Sequence, residues 1–360
     1  MPGDVSLALR RGQMSGFIHL RYVGETTSPW HIGMLHQHVV GGRSISYMRT
    51  RTDLMWGRGI RGPVLRQLWR SYCPHSDLGD GAAFNPERDC IRCRTSSECP
   101  FNNLRGSNDE GEWKGRPRLI LTNLRLMTPK SLRPRRLSIT SLDEENMRSI
   151  RAGCIIEYIP SGTRFSFEAI LMAEGSSFEQ DFDRAVRISL EFLGWGGRCN
   201  EGFGRGRILE AERNNFESFW RRYVVERAES ILDGRELELS IETLLILDRD
   251  SGGFYTSSAE PKFREKLCNC INERFWQFTG GRVYLQEAVD AVSGGRFGII
   301  RGWSRRFSRE LFFRGIAGSI KVALRRGLRP EEAQALALTR YGVGRYKNQG
   351  LGAMAPGGGS

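Results

Sequence analysis

Three histidines and a tyrosine near the start of the chain are the side chains best suited to acid–base chemistry. His31, His36 and His38 lie in a polar segment, and Tyr47 follows together with several arginines. Imidazole transfers protons near neutral pH, so such groups can deprotonate a ribose 2′-hydroxyl and protonate a leaving 5′-oxygen. Nearby cations and a phenol would stabilise the pentavalent phosphate without a metal ion. We predict these four residues as catalytic candidates, with a second metal site or ordinary surface histidines as the alternatives.

Four cysteines in a polar stretch have the spacing of a metal site. Cys73, Cys90, Cys93 and Cys99 form the pattern C-x16-C-x2-C-x5-C. Four thiolates bind a tetrahedral zinc ion, which would order a segment that has too few apolar side chains to pack by itself. We expect one structural zinc site. His75 is an alternative to Cys73 as the fourth ligand, and reduced cysteines without a metal are the other interpretation.

Two glycine-rich segments share one pattern, Gly-x-Gly or Gly-Gly followed by a basic side chain and a second Gly-x-Gly. The first segment is residues 193–207 and the second is residues 342–352. Glycine permits positive φ and close backbone approach, and exposed N–H groups beside a cation suit a phosphate chain. The repetition predicts a duplicated module that contacts RNA. The candidate contact residues are Gly196, Gly197, Arg198, Gly202, Gly204, Arg205, Gly342, Gly344, Arg345, Lys347, Gly350 and Gly352.

A further basic segment, residues 301–315, alternates arginine with aromatic side chains. On a strand or extended loop, this pattern places cations along a nucleic-acid backbone and rings where bases stack. A basic amphipathic helix is the alternative. The candidate RNA contacts here are Arg301, Arg305, Arg306 and Arg309.

The net charge of +13 favours a polyanionic partner. Only six of the 54 basic residues are lysine. Arginine forms bidentate hydrogen bonds with phosphates and stacks on bases better than lysine does. HExxH, acidic nuclease and P-loop motifs are absent from the sequence, which argues against metal-dependent phosphoryl transfer and nucleotide hydrolysis. Nucleic acid is therefore the expected partner.

The periodicity predicts an α+β protein with two ferredoxin-like domains in tandem. We expect a first domain at 1–209 with a cysteine-rich zinc-knuckle insertion at 73–113, a helical connector at 210–234, a second domain at 235–354, and a linker scar at 355–360. The predicted strands are 16–23, 118–127, 163–173, 237–247, 296–303 and 316–324, and the predicted helices are 60–72, 182–193, 261–278 and 330–339. The histidine segment, 28–42, is predicted as a loop or short helix. No apolar run is long enough for a membrane helix and no signal peptide is recognisable, so a cytoplasmic location is expected.

The order of motifs resembles the RAMP superfamily of CRISPR-associated proteins, with the closest likeness to the sixth Cas family. The similar segments are IRGPVLRQLWRSYC, CIRCRTSSECPF, GWGGRCNEGFGRGR, GWSRRFSRELFFRGIAGSI and GVGRYKNQGLG. That resemblance implies an endoribonuclease with two RRM-like domains that binds CRISPR repeat RNA across a basic cleft. It also implies cleavage of precursor crRNA without a metal, leaving a cyclic phosphate, with a catalytic histidine shortly after the first strand.

The segment SPWHIG is also similar to the backbone subunits of type III and type IV effector complexes. This likeness keeps a second interpretation open, a non-catalytic crRNA-binding backbone or capping subunit. Repeat RNA or crRNA and other Cas proteins are the expected partners in either case. A basic DNA- or RNA-binding regulator outside CRISPR is the third and weaker interpretation.

Overall fold

A computed structural model describes most of the chain and shows an α+β protein. The described residues are 16–40, 43–73, 93, 98–105, 117–127, 133–139, 142–143, 148–149, 154–232, 234–304 and 309–356. In this part of the chain, none of the helices is long and apolar enough to cross a membrane.

The N-terminal half contains twelve described strands and three described α-helices. They are β1 (Phe17–Thr26), β2 (Gly33–Val40), β3 (Arg43–Thr50), β4 (Leu54–Met55), α1 (Gly57–Tyr72), α2 (Pro100–Arg105), β5 (Leu119–Leu121), β6 (Leu124–Leu126), β7 (Arg135–Ile139), β8 (Leu142–Asp143), β9 (Arg148–Ser149), β10 (Cys154–Tyr158), β11 (Arg164–Met172), α3 (Glu179–Ile188) and β12 (Gly206–Asn214). A π-helical turn, Ser189–Leu193, extends α3. The main sheet has the order β12-β1-β11-β6-β4, and β5 also pairs with β11.

The C-terminal half follows a short helical connector. The connector contains α4 (Phe216–Phe219), a π-helical segment (Trp220–Val225) and α5 (Glu226–Glu229). The half itself contains β13 (Glu236–Leu245), α6 (Phe263–Thr279), β14 (Val289–Ser304), β15 (Arg309–Leu324), α7 (Pro330–Ala337) and β16 (Met354–Pro356). Its sheet has the order β14-β15-β13-β16.

The main sheets of the two halves are arranged alike. In the N-terminal half, β1 lies between β11 and β12, and in the C-terminal half, β13 lies between β15 and β16. The first strand of each half is thus a neighbour of the last strand of that half. Helices α1 and α6 follow the first strands, and α3 and α7 precede the glycine-rich segments. Apolar side chains explain why these segments form strands. Buried and exposed residues alternate in the first part of β13, and β11 is buried along nearly its whole length, as expected for a central strand.

The N-terminal half also contains a second sheet, β2-β3-β10-β7. The histidine segment forms one of its strands, which differs from the prediction. The expected loop or short helix is wrong, because Gly33–Val40 forms β2 and pairs with β3 along its full length. Strand pairing outweighs the polar local composition here. His36 consequently lies opposite Tyr47 in the β2–β3 register.

One further difference from expectation concerns the end of an element. Helical structure in the connector begins at Phe216, because β12 continues its pairing with β1 as far as Asn214. The described residues of the basic segment, 301–304 and 309–315, are extended as predicted, since β14 and β15 pair in antiparallel fashion there. Residues 309–315 of β15, which precede Ile316, do not pair with β13, so this part of the β14–β15 pair extends past its sheet.

The two halves share a hydrophobic core. Phe17 of β1 packs against Phe219 of the connector and Phe278 of α6, with ring centroids 5.0 and 6.3 Å away. A buried polar cluster joins the halves nearby, where Glu168 of β11 accepts hydrogen bonds from Arg340 and from the Tyr341 hydroxyl at 3.0 Å. The halves therefore pack directly against each other.

Candidate functional site

Several residues of the N-terminal glycine loop, residues 194–205, have a backbone conformation with positive φ that glycine adopts most easily. Positive φ angles occur at Gly194, Gly196, Arg198, Gly202 and Gly204. A short 3-10 turn, Cys199–Glu201, lies in the middle of the loop. The loop closes on itself through a hydrogen bond from the backbone N–H of residue 195 to the carbonyl of residue 204, at 2.8 Å. It is a compact turn with defined geometry.

The C-terminal glycine loop, residues 342–352, repeats this conformation position by position. Its positive φ angles occur at Gly342, Gly344, Tyr346, Gly350 and Gly352, each 148 positions after its counterpart. Its 3-10 turn is Lys347–Gln349, and its closing hydrogen bond joins residues 343 and 352 at 3.1 Å. The matching signs of φ, including one non-glycine residue in each loop, make these two segments structural equivalents.

Each loop bonds to a neighbouring backbone segment, and the residues at that contact differ. In the N-terminal half, the Gly197 N–H donates to the carbonyl of His31 at 2.8 Å. In the C-terminal half, the Arg345 N–H donates to the carbonyl of Ile246, also at 2.8 Å. His31 and Ile246 are therefore equivalent positions, and only the N-terminal one carries a titratable side chain.

The His31 side chain is held in one tautomer. Its ring is 5% exposed, and Nδ1 donates to the backbone carbonyl of Glu157 at 2.9 Å. Nδ1 therefore carries the proton and Nε2 has the free lone pair of the neutral ring. Burial lowers the pKa of His31 below 6.5, and the nearby Arg198 lowers it further. The neutral imidazole is thus favoured at pH 7, as a general base requires.

Glu157 of β10 bonds to His31 through its backbone carbonyl and to β3 through its side chain. Its buried carboxylate accepts a hydrogen bond from the Tyr47 hydroxyl and one from the Thr50 backbone N–H at 3.3 Å. Burial and this bond to Glu157 raise the pKa of Tyr47, so its phenol keeps its proton. A protonated phenol therefore lies in the same cluster as the neutral imidazole.

Cations surround this cluster. Arg49 and Arg136 lie 3.9 and 3.7 Å from the Glu157 carboxylate, and the Arg136 guanidinium lies 5.5 Å from the centre of the Tyr47 ring. Both arginine side chains are more than half exposed, at 56% and 68%. Two exposed guanidinium groups thus lie beside the Glu157 carboxylate, where they can contact a phosphate.

The glycines next to His31 allow the close approach of the loop. A Cβ at Gly196 would lie 2.8 Å from the His31 carbonyl oxygen, and one at Gly197 would lie 3.0 Å from its imidazole carbon. Arg198 is ion-paired with Glu201 at 2.7 Å, and Arg205 is exposed. These glycines pack against protein backbone in the structure, and their contact with RNA stays a prediction.

The C-terminal glycine loop is held by a buried arginine. Arg274 of α6 is fully buried, and its guanidinium donates to the Gly342 and Tyr341 carbonyls at 2.6 Å each. It also donates to the Asn348 side chain at 3.0 Å. Burial lowers the pKa of Arg274 to about 9, so the group remains charged at pH 7. A fixed positive charge thus lies directly beneath this loop.

Of the two basic residues of the C-terminal loop, Arg345 lies at the surface and Lys347 is largely buried. Arg345 is exposed and its guanidinium lies 3.2 Å from Asp248, while Lys347 Nζ lies 2.6 Å from Glu273. Burial lowers the pKa of Lys347, and Arg274 lowers it further. The loop also contacts the other half, because Asn123 lies against Gly350.

The structure brings together only part of the predicted site. His31 and Tyr47 both bond to Glu157, and the N-terminal loop bonds to His31. His36 and His38 lie on β2, and the structure describes only their backbone. Among the predicted hairpin contacts, Arg301 and Arg309 lie on β14 and β15, and Arg305 and Arg306 lie outside the described residues.

The predicted zinc ligands are described only in part. Cys73 ends α1 and Cys99 precedes α2, and both are buried in the same apolar cluster. Cys90 lies outside the described residues, so the four-cysteine site stays a prediction.

Sequence reasoning missed Glu157, Arg136 and Arg274. Glu157 lies in a strand far from the histidines along the chain, and Arg136 pairs with it across β7 and β10. Neither has a local motif. Arg274 lies in a helix that contains other charged residues, and only its burial distinguishes it.

Neither a protein-family model nor a curated protein matches this chain. Several solved structures are similar to it. A Cas6 product complex has a TM-score of 0.41 and 14% identity, covering 95% of this chain and 100% of that chain. Cas6 of Thermus thermophilus has a TM-score of 0.39 and 11% identity, covering 95% of this chain and 98% of that one.

A chain of the type III-B Cmr-beta complex bound to cognate target RNA is also similar. It has a TM-score of 0.36 and 14% identity, covering 56% of this chain and 61% of that chain. These neighbours are proteins of the kind that the sequence motifs resemble.

Proposed function

We propose that this chain is a CRISPR RNA-binding endoribonuclease that cleaves precursor crRNA within the repeat without a metal ion. The observation that carries the proposal is the pair of contacts to Glu157: its backbone carbonyl holds the neutral, Nδ1-protonated His31, and its carboxylate accepts a hydrogen bond from Tyr47 next to two exposed arginines. The motif resemblance and the charge of +13 support RNA as the substrate. The duplicated order of strands supports two ferredoxin-like domains in tandem.

The proposed reaction uses the chain's own groups. His31 Nε2 removes the proton of the ribose 2′-hydroxyl, and the 2′-oxygen attacks the adjacent phosphorus. The bond to the 5′-oxygen breaks, that oxygen takes a proton from Tyr47, and a 2′,3′-cyclic phosphate and a 5′-hydroxyl remain. Arg49 and Arg136 stabilise the additional negative charge of the pentavalent phosphate.

One observation favours the alternative of a non-catalytic crRNA-binding subunit. The His31 ring is only 5% exposed, so RNA reaches Nε2 only if the surrounding side chains move. In that alternative, the His31–Glu157 hydrogen bond only shapes the loop. Other Cas proteins as partners and a cytoplasmic location belong to both versions of the proposal.

The cleavage test uses purified protein and repeat RNA in EDTA. We expect two fragments, with a cyclic phosphate on the upstream one, and no cleavage when the nucleotide before the scissile phosphate is 2′-deoxy. RNA of random sequence is the control for repeat preference. Tight repeat binding with intact RNA in every reaction would contradict the enzyme and favour the binding subunit.

We also propose that Cys73, Cys90, Cys93 and Cys99 hold one structural zinc ion. The chemistry of four thiols and the burial of two of them in one cluster support this assignment. Metal analysis should find about one zinc per chain, lost when Cys90 and Cys93 are both changed to serine. Metal-free protein with unchanged stability would contradict the site.

A further inference from the structure

An open cavity on the C-terminal half takes no part in the proposed reaction. It has a volume of about 630 Å³ and lies between α6 and the segment 282–287 that follows it. Trp276 on α6 and Tyr284 on the segment both line it, and Tyr284 is 57% exposed. Two large rings at one open cavity are suited to a flat, partly apolar ligand.

One wall of the cavity is fixed by side-chain amides. The Asn272 amide donates to Gln286 at 2.9 Å, and Asn272 in turn accepts the Leu285 backbone N–H at 3.3 Å. Gln286 also donates to Asn269. These bonds hold the segment against α6, so the cavity is formed before any ligand arrives.

The charges at the cavity suit a phosphate rather than a cation. Its two carboxylates already face cations, with Glu273 2.6 Å from Lys347 and Glu287 3.9 Å from Arg326. Arg282 is exposed, and no described residue forms an ion pair with it. Arg282 is therefore an exposed guanidinium at a cavity that Glu273 and Glu287 also line.

The cavity is adjacent to a second one at the C-terminal glycine loop. A second cavity of about 350 Å³ shares Asn269 and Glu273 with it and is lined by Gly344, Arg345 and Lys347. A strand whose phosphates pass the basic residues of the loop can therefore continue into the larger cavity. This arrangement of cations followed by rings is that of a single-strand nucleic-acid site.

We propose that the pocket formed by Trp276, Tyr284 and Arg282 holds an unpaired nucleobase of the RNA strand that passes the C-terminal glycine loop. The base stacks on the aromatic rings, and Arg282 contacts the adjacent phosphate. This inference depends on the proposed function, because it requires RNA at the glycine loop.

The test compares affinities for two RNAs, the repeat with its single-stranded flanks and the same repeat without them. Loss of one stacked base should weaken binding of the flanked RNA about tenfold for Tyr284→Ala, with little change for the trimmed RNA. Tyr284→Phe keeps the ring and should bind like the wild type. Leu209→Ala, at an exposed apolar residue outside the pocket, is the matched control.

Photo-crosslinking locates the base directly. Flanked repeat RNA that carries 4-thiouridine should crosslink to the peptide containing Trp276 or Tyr284, and Arg282→Ala should reduce the yield. Unchanged affinity of Tyr284→Ala together with crosslinks only elsewhere would overturn the pocket. Wild-type protein that binds neither RNA would instead contradict the proposed function, so the two failures are distinguishable.

Discussion

The two glycine loops have the same backbone and different surroundings. Both have the same pattern of positive φ, the same 3-10 turn and the same closing hydrogen bond. The N-terminal loop bonds to His31. At the C-terminal end of this loop, the Arg205 carbonyl accepts a hydrogen bond from the buried Trp30 indole at 2.7 Å. The C-terminal loop bonds to Ile246 and is held by the Arg274 guanidinium. One duplicated turn thus carries an acid–base group in one half and a buried positive charge in the other.

The largest expected effect is a loss of stability on changing Glu168, whose carboxylate bonds to Arg340 and Tyr341 just before the C-terminal loop. Glu168→Gln should lower the free energy of unfolding by about 3 kcal/mol, because it leaves the partly buried Arg340 guanidinium without its carboxylate. Burial opposes ionisation of Glu168, but hydrogen bonding with His19 and the charge of Arg340 lower its pKa to about 2. The stabilisation is therefore present above pH 4.5 and lost as the pH falls toward 2. Denaturant unfolding from pH 7 to pH 3 checks this, and a gap between variant and wild type that does not narrow on acidification would contradict it.

The second prediction tests the arginine under the C-terminal loop. Arg274→Met should lower the free energy of unfolding by about 3 kcal/mol, because the Gly342 and Tyr341 carbonyls lose a charged donor. Arg221→Met, at an exposed arginine of the connector, is the control and should change stability by less than about 0.5 kcal/mol. Equal effects in the two variants would show that the guanidinium does not hold the loop.

The third prediction separates equivalent glycines by their environments. Gly350→Ala should cost about 3 kcal/mol, because its Cβ would collide with Asn123 of the other half and φ is +84°. Gly202→Ala has the same φ problem but open space, so it should cost about 1 kcal/mol. Chemical denaturation measures both, and equal losses would mean that the loops have the same surroundings.

The smallest effect is the pH dependence of cleavage. Burial lowers the pKa of His31, so the neutral base is already formed at pH 7. The rate should be level between pH 7 and pH 8 and fall at acidic pH, by about tenfold per pH unit once the pH is below the His31 pKa. Single-turnover rates across this range provide the measurement, and a rate that rises steadily from pH 7 to pH 8 would exclude His31 as the base.

Local patterns predicted most of the fold that positions these loops. The amphipathic spacing of residues 60–72 and the apolar runs of 163–173 and 237–247 correspond to α1, β11 and β13. The strand at the histidines could not be predicted, because its stability comes from pairing with β3 rather than from its own composition.

The candidate site was predictable only where its residues are close in sequence. His31 and Tyr47 come from one segment, but Glu157 reaches them through sheet pairing across more than a hundred residues. The equivalence of His31 with Ile246 could not be predicted from the sequence either, because it is defined by the backbone hydrogen bond that each residue accepts from its loop.

The most direct test of the account compares these two equivalent positions. His31→Asn keeps a donor for the Glu157 carbonyl but has no titratable base, so single-turnover cleavage at saturating protein should fall by at least about 100-fold while the Kd for repeat RNA stays within about threefold. Ile246→Val, the matched change at the equivalent position of the other half, should leave the rate unchanged. Cleavage by His31→Asn at the wild-type rate would contradict the claim that the residue bonded to the N-terminal loop carries the chemistry.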